Sequence, residues 1–390
     1  MGPLDDLAPF LELAATRSVI GLGEATHGTR EAFQLKHRLI RALAEQGGLT
    51  TIAFECGLAA GRLIDDYVRL GHGTAREALA QQGYWCWENH EVLALIEWLK
   101  EHNAPLPLSE RVAFMGVDVQ KVEPGLPELL AALEHDTYGQ EPDPSDRTPA
   151  QHESSDAIQV LRQLSAGQLA RGAPEAAPAV RALLEAAPYL ATPELRALCR
   201  NAARYVDTYL NPERGDNGLA VRDEYLAATA LETLAERPGL IAVWAHNEHV
   251  AVNPDFFGTR AMGHHLREAL GAGYLALGML FSEGSFLARS WEAREVSEFS
   301  VGLAGESHVE RSFTGLPLGL YGGAHLPVSP GARHRRFVGM LYDHGVDAEH
   351  PDAFRIERPL SDFDVVAWLP ETTAARFIGV EAKPLATGSA

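Results

Sequence analysis

Ser18-Val19-Ile20-Gly21-Leu22-Gly23-Glu24-Ala25-Thr26-His27-Gly28-Thr29-Arg30-Glu31 decides how this chain folds. Its first five residues form a β-branched and apolar run closing near glycine. The segment 29–46 that follows places Phe33, Ile40 and Leu43 near helical spacing. The order is strand, loop, helix, and it recurs at once, with Thr51-Ile52-Ala53-Phe54-Glu55 as a second strand and 57–70 as a second helix. A helix over 88–101 leads to a third strand, Val112-Ala113-Phe114-Met115-Gly116-Val117. Further strands are predicted at Leu240-Ile241-Ala242-Val243-Trp244 and over 274–281, 337–341 and 365–369. Alternating strands and helices specify an α/β fold with a mixed, mostly parallel central sheet flanked by helices.

The 390 residues accommodate two domains or one large α/β domain with insertions. We read residues 1–123 and 237–382 as the α/β core. Residues 124–236 then form a helical insertion, a lid or subdomain over the carboxyl ends of the strands. The insertion contains a polar loop, 134–155, with no Val, Ile, Leu, Met or Phe. Thr192 caps a predicted helix whose first position is Pro193, and Leu195, Leu198, Cys199, Ala202, Val206 and Tyr209 share one face of it. Residues 383–390 read as a flexible tail.

With 33 Lys and Arg against 53 Asp and Glu, the formal net charge is −20, which opposes an electrostatic grip on nucleic acid or anionic lipid. Three scattered cysteines, Cys56, Cys86 and Cys199, offer no paired metal-binding spacing and are expected to be reduced. The start of the chain carries no secretory signal pattern, and no apolar run approaches the ~20 residues that span a bilayer. A cytoplasmic protein with a small-molecule partner is expected, with no role at a membrane.

Four predicted strands end in polar groups, where open α/β sheets place their sites. The first delivers Glu24 and His27, the second Glu55, the third Asp118, and the strand after the insertion His246, Asn247, Glu248 and His249. Taken alone, Glu55 fits a helix-capping carboxylate equally well, Asp118 a turn residue, and His27 a structural hydrogen-bonding group. Their recurrence at four strand ends favours a site. Arg30 begins a polar helical stripe beside His27, and Trp85 belongs to an aromatic group that lines a cleft or packs in the core. There is no G-x-S-x-G nucleophile elbow and no P-loop. Gly21-Leu22-Gly23-Glu24-Ala25-Thr26 puts a carboxylate where a dinucleotide pyrophosphate would lie, so a nicotinamide cofactor is discounted.

Gly23-Glu24-Ala25-Thr26-His27-Gly28-Thr29-Arg30-Glu31, followed by Phe33-Gln34-Leu35-Lys36-His37-Arg38, closely resembles the opening signature of the erythromycin esterase family, also called the succinoglycan biosynthesis protein family. Ala53-Phe54-Glu55, Phe114-Met115-Gly116-Val117-Asp118-Val119-Gln120, Trp244-Ala245-His246-Asn247-Glu248-His249 and Met262-Gly263 resemble later family blocks in the same order. Arg222-Asp223-Glu224-Tyr225-Leu226 is similar to another, with Leu226 in place of Met. The resemblance spans about residues 19–286, with weaker support over 362–374.

It implies hydrolysis of an ester or macrolactone without a covalent serine intermediate and without a required metal or other cofactor. His27 would then be the general base, Glu24 and Glu55 would orient it or the water, and His246 would assist at the carbonyl or leaving group. Arg30, Asp118, His249, Trp85, Arg222 and Asp223 are the expected substrate-binding residues. Two alternatives remain open. One is a natural-product tailoring enzyme using the same acid/base cluster for cyclisation, elimination or acyl transfer. The other is a protein of the same fold that binds haem or a divalent transition metal through Glu24, His27, Glu55, Asp118, His246 and His249.

Overall fold

The structure is a computed structural model that describes residues 6–138, 149–214, 218–252, 259–322, 334–343, 355–357, 360–378 and 383–384. The chain divides into two compact units: residues 1–53, 64–114 and 230–390 form the first, and 54–63 and 115–229 the second. The insertion read from the sequence at 124–236 overlaps the second unit over 124–229.

The strands are β1 Val19–Leu22, β2 Leu49–Gly57, β3 Ala113–Asp118, β4 Leu240–Trp244, β5 Tyr274–Arg289, β6 Val296–Val301, β7 Gly319–Gly322, β8 His334–Arg336, β9 Arg355–Glu357, β10 Val365–Thr372 and β11 Lys383–Pro384. Among the described residues, nine strands make one sheet in the order β11-β6-β5-β1-β4-β2-β3, with β10 paired to both β5 and β7. β1 lies parallel to β4 and β5, β10 parallel to β5 and β11 parallel to β6, whereas β6 runs antiparallel to β5 and β7 antiparallel to β10. The sheet is therefore mixed and mostly parallel, as expected. Every residue of β1 and β4 is buried, which is why both read as unbroken apolar runs rather than as alternation.

The helices are α1 Ala8–Ala14, α2 Arg30–Gln46, α3 Leu58–Asp65, α4 Ala75–Ala80, α5 His90–Asn103, α6 Leu126–Tyr138, α7 Pro149–Ser165, α8 Ala176–Ala186, α9 Pro193–Tyr209, α10 Gly218–Glu236, α11 Asn247–Val250 and α12 Met262–Leu270. In the second unit, α6 to α9 close on a core that includes Leu129, Ile158, Leu161, Leu183, Leu198 and Val206. Thr192 caps α9 as expected, its hydroxyl accepting from the Leu195 amide at 3.2 Å. No helix among the described residues is long and apolar enough to cross a membrane.

Four local expectations are corrected. The polar stretch 134–155 is helical at both ends, since α6 runs to Tyr138 and α7 starts at Pro149, while 139–148 lie outside the described residues. Lack of branched apolar residues does not stop a helix when Glu, Gln and Ala supply propensity and proline sits at its first position. The strand expected over 337–341 is instead β8, ending at Arg336. Phe337 and Val338 pack as single residues, and Leu341 makes an isolated bridge to Arg289. β5 continues well past Phe281. At Gly284, whose φ of 129° suits glycine, it passes from pairing with β10 to pairing with β6. Lys383 and Pro384, read as part of a loose tail, pair with β6, and 385–390 lie outside the described residues.

Candidate active site

β1 ends at Leu22, and the chain then turns across β5, where the Gly23 amide donates to the Leu277 carbonyl at 2.7 Å. A side chain at Gly28 would run into the Leu287 backbone, so only glycine lets the loop lie against β5, where Leu287 donates to the Gly28 carbonyl at 3.0 Å. The Thr26 hydroxyl accepts from the Gly28 amide at 3.0 Å. From the other side, the Asn247 amide donates to the Glu24 carbonyl at 2.8 Å, and its side chain bridges the Met279 backbone through bonds of 2.7 and 2.9 Å. The loop is thus held at both edges before its side chains do anything.

Glu24 and His27 face each other across this turn. His27 Nδ1 lies 2.8 Å from Glu24 Oε1, and an ionised carboxylate there makes Nδ1 the protonated nitrogen. Among the described residues, none hydrogen-bonds His27 Nε2. The other Glu24 oxygen accepts from Lys36 Nζ at 2.7 Å. Lys36 also donates to the Ala245 carbonyl at 3.0 Å and lies 4.6 Å over the Trp244 ring. Both Glu24 and Lys36 are fully buried, at 0% exposure.

Aromatic rings wall the imidazole. Trp87 meets His27 edge-on at 5.1 Å, and the His246 ring lies 5.1 Å away on another side, itself met edge-on by Phe337 at 5.2 Å. His246 is fixed by two bonds of opposite sense. Its Nδ1 accepts from the Glu248 amide at 3.3 Å, capping α11, and Nε2 donates to the Ala25 carbonyl at 3.2 Å. Those partners define a neutral ring with its proton on Nε2.

Behind α11 lies a buried ion triad. Arg335 donates to Glu248 Oε1 at 2.5 Å and to Asp362 Oδ2 at 3.0 Å, and its guanidinium stacks 4.7 Å from the Phe363 ring. Burial opposes its charge, but the two carboxylates win and hold it above the usual arginine range. Beside Arg335, burial pushes Glu310 up to about 7 although its Oε1 accepts from the Arg336 amide.

The second unit gathers three more of the expected residues. Arg222 grips Asp118 through two bonds, of 3.0 and 2.8 Å, and Glu55 through one of 3.0 Å. All three are buried. Burial opposes the guanidinium charge, yet Asp118 and Glu55 raise its pKa well above the ordinary value. The adjacent Asp223 is buried too, as is His249 within α11 of the first unit. Arg30, expected to face the site, is 3.7 Å from Glu91, which also holds Arg376 at 3.2 Å. Of the aromatic group, Trp87 rather than the half-buried Trp85 touches His27.

Lys36, Trp87, Phe337 and Arg335 are therefore site or supporting residues absent from the sequence-based set. Lys36 had a readable signal. It lies three residues after Phe33 and four before Ile40, in the apolar stripe of α2, where a lysine needs a buried partner. Phe337 and Arg335 had none, because their partners lie far away along the chain.

Comparison with known proteins agrees with this architecture. A family model described as erythromycin esterase matches residues 44–381. The chain is 25% identical over 351 residues to an erythromycin esterase type II of Escherichia coli, covering 80% of this chain and 81% of the relative. Among solved structures, it is similar to a succinoglycan biosynthesis protein with a TM-score of 0.77 at 21% identity, covering 96% of this chain and 93% of that one. It is also similar to a mutant erythromycin esterase in its open conformation, with a TM-score of 0.64 at 17% identity over 94% of each chain.

Proposed function

The chain belongs to the erythromycin esterase family, and from that premise we propose that it cleaves an ester or macrolactone by a water molecule that His27 activates as general base. Family membership makes it an esterase-type hydrolase of small molecules. The observation that carries the mechanism is the Glu24–His27 pair, with Nδ1 engaged at 2.8 Å and Nε2 left without a bond from any described residue.

In this reading, Nε2 takes a proton from water as the oxygen adds to the ester carbonyl. Glu24 fixes the tautomer and stabilises the imidazolium as it forms. The tetrahedral adduct then collapses, the carbon–oxygen bond to the alcohol breaks, and the imidazolium returns its proton to the leaving alkoxide. The products are one carboxylic acid and one alcohol, or a single hydroxy acid from a lactone. His246 serves to position the loop, since its Nε2 proton is committed to the Ala25 carbonyl. The edge of Trp87 against the imidazole favours substrates that bring hydrocarbon there.

The donor set argues against a resident metal as the working group. Lys36 already supplies the cation that Glu24 faces, and both His246 nitrogens are bonded. Among the described residues, no group of three or more His, Cys, Asp or Glu is arranged to hold a metal ion. The test is hydrolysis in heavy-oxygen water of a panel running from simple aryl esters through medium-ring lactones to erythromycin, read by mass spectrometry. Uptake of one labelled oxygen into the acid product of at least one member supports the reading. An intact panel opposes it.

A further inference from the structure

We propose that Lys36 is a positioning residue whose ammonium keeps the proton off His27 Nε2, so that the imidazole meets its substrate as a free base. The inference rests on the general-base reading above and deepens it. Lys36 is buried in the apolar stripe of α2, where a methylene chain ending in methyl would pack as well and cost less. Its Nζ spends one bond on the Ala245 carbonyl and one on Glu24 Oε2, the oxygen that His27 does not use.

The charges explain the arrangement. Glu24 and Lys36 cancel, so the neutral imidazole sits on a neutral pair. Without the ammonium, a buried carboxylate would stand alone against an imidazole 2.8 Å away, and the two would hold one shared proton more tightly. That proton has two places to go, and both disable the base. On the imidazole, it makes an imidazolium with Nε2 protonated. On Glu24, it makes a carboxylic acid that donates to Nδ1, which moves the ring's own proton to Nε2.

The other groups facing the pair do not substitute for Lys36. Among the described residues, His246, from the start of α11, is held neutral by its two bonds, and Trp87 and Trp244 add only uncharged rings. A merely space-filling Lys36 predicts that its loss lowers turnover equally at every pH. A proton-excluding Lys36 predicts a loss that high pH repairs.

The experiment compares Lys36→Met and Lys36→Gln with the parent protein. The acid limb of the kcat/KM profile is expected to move up by about one pH unit or more in both, with the alkaline plateau largely recovered, and Lys36→Arg is expected to restore part of the shift. In parallel, nitrogen NMR of the histidine side chains, with His27 assigned by its disappearance in His27→Gln, reads the proton directly. Nε2 is expected to be bare in the parent near neutrality and protonated in both Lys36 variants. An unmoved acid limb, or an Nε2 signal unchanged by removing the ammonium, overturns the proposal. The NMR arm needs no substrate, so it decides the role of Lys36 even if no ester is cleaved.

Discussion

Arg335→Met should be among the most damaging single changes in the first unit, although Arg335 hydrogen-bonds neither His27 nor Glu24. The substitution keeps the bulk of the stem but removes two charge-assisted bonds, of 2.5 Å to Glu248 and 3.0 Å to Asp362. It takes the Arg335 charge away from two carboxylates at 1% and 0% exposure. Breaking a buried pair in this way costs roughly 3–5 kcal/mol, and here one cation serves two anions, so the upper part of that range applies. Against a total stability of about 5–15 kcal/mol, that is a large share. Urea denaturation at neutral pH reads the loss as a lowered midpoint with an unchanged slope. A triple variant, Arg335→Met with Glu248→Gln and Asp362→Asn, removes the two buried negative charges as well and should recover much of it. A single variant that loses less than about 1 kcal/mol, or a triple variant no better than the single, would show that the charge of Arg335 is not what holds this cluster.

Arg222→Met applies the same physics in the second unit, where Asp118 and Glu55 share one guanidinium. A destabilisation of roughly 3–5 kcal/mol is expected by denaturation, with Arg222→Lys recovering only part because it cannot reproduce the double bond to Asp118. Gly28→Ala pushes a methyl into the Leu287 backbone and should cost about 1–3 kcal/mol, with turnover falling by up to ~100-fold as the neighbouring His27 shifts; full activity would contradict the close packing. Glu310 is raised from 4.5 to about 7 when folded, so the native state holds the extra proton. Its stabilising share is complete below about pH 4.5 and is lost as pH rises through 7. Glu310→Gln should therefore flatten the decline in stability across that window, by about 3 kcal/mol at most, in denaturation measured at pH 5 and pH 8.

What the amino-acid order revealed follows the range of the forces involved. β1 and β4 were legible because strands buried on both faces must be continuously apolar, and Thr192 with Pro193 because capping is local. The Glu24–His27 pair was legible for the same reason, its partners being three residues apart. Lys36 was readable in principle from its place on an apolar stripe, but its partner could be found only once β1 and α2 were packed together. Arg335 was not readable, since Glu248 and Asp362 lie 87 and 27 residues away and nothing in the short β8 segment marks a buried charge. The choice between Trp85 and Trp87 turned on a single helical turn, Trp85–Trp87, whose orientation no periodicity sets. The family match over 44–381 begins after the opening block and reaches well past residue 286, so the chain beyond the readable motifs belongs to the same architecture.

Activation of water by His27 is decided by His27→Ala and His27→Gln on whichever ester or lactone the parent protein hydrolyses. Turnover is followed by product mass, and ligand binding is followed separately by calorimetry with a non-hydrolysable analogue. A loss of turnover of at least ~100-fold is expected in both variants with binding retained, and for His27→Ala a partial return of activity when imidazole is added. Turnover unchanged by removing the imidazole would contradict it, and the proton would then have to leave water by another route.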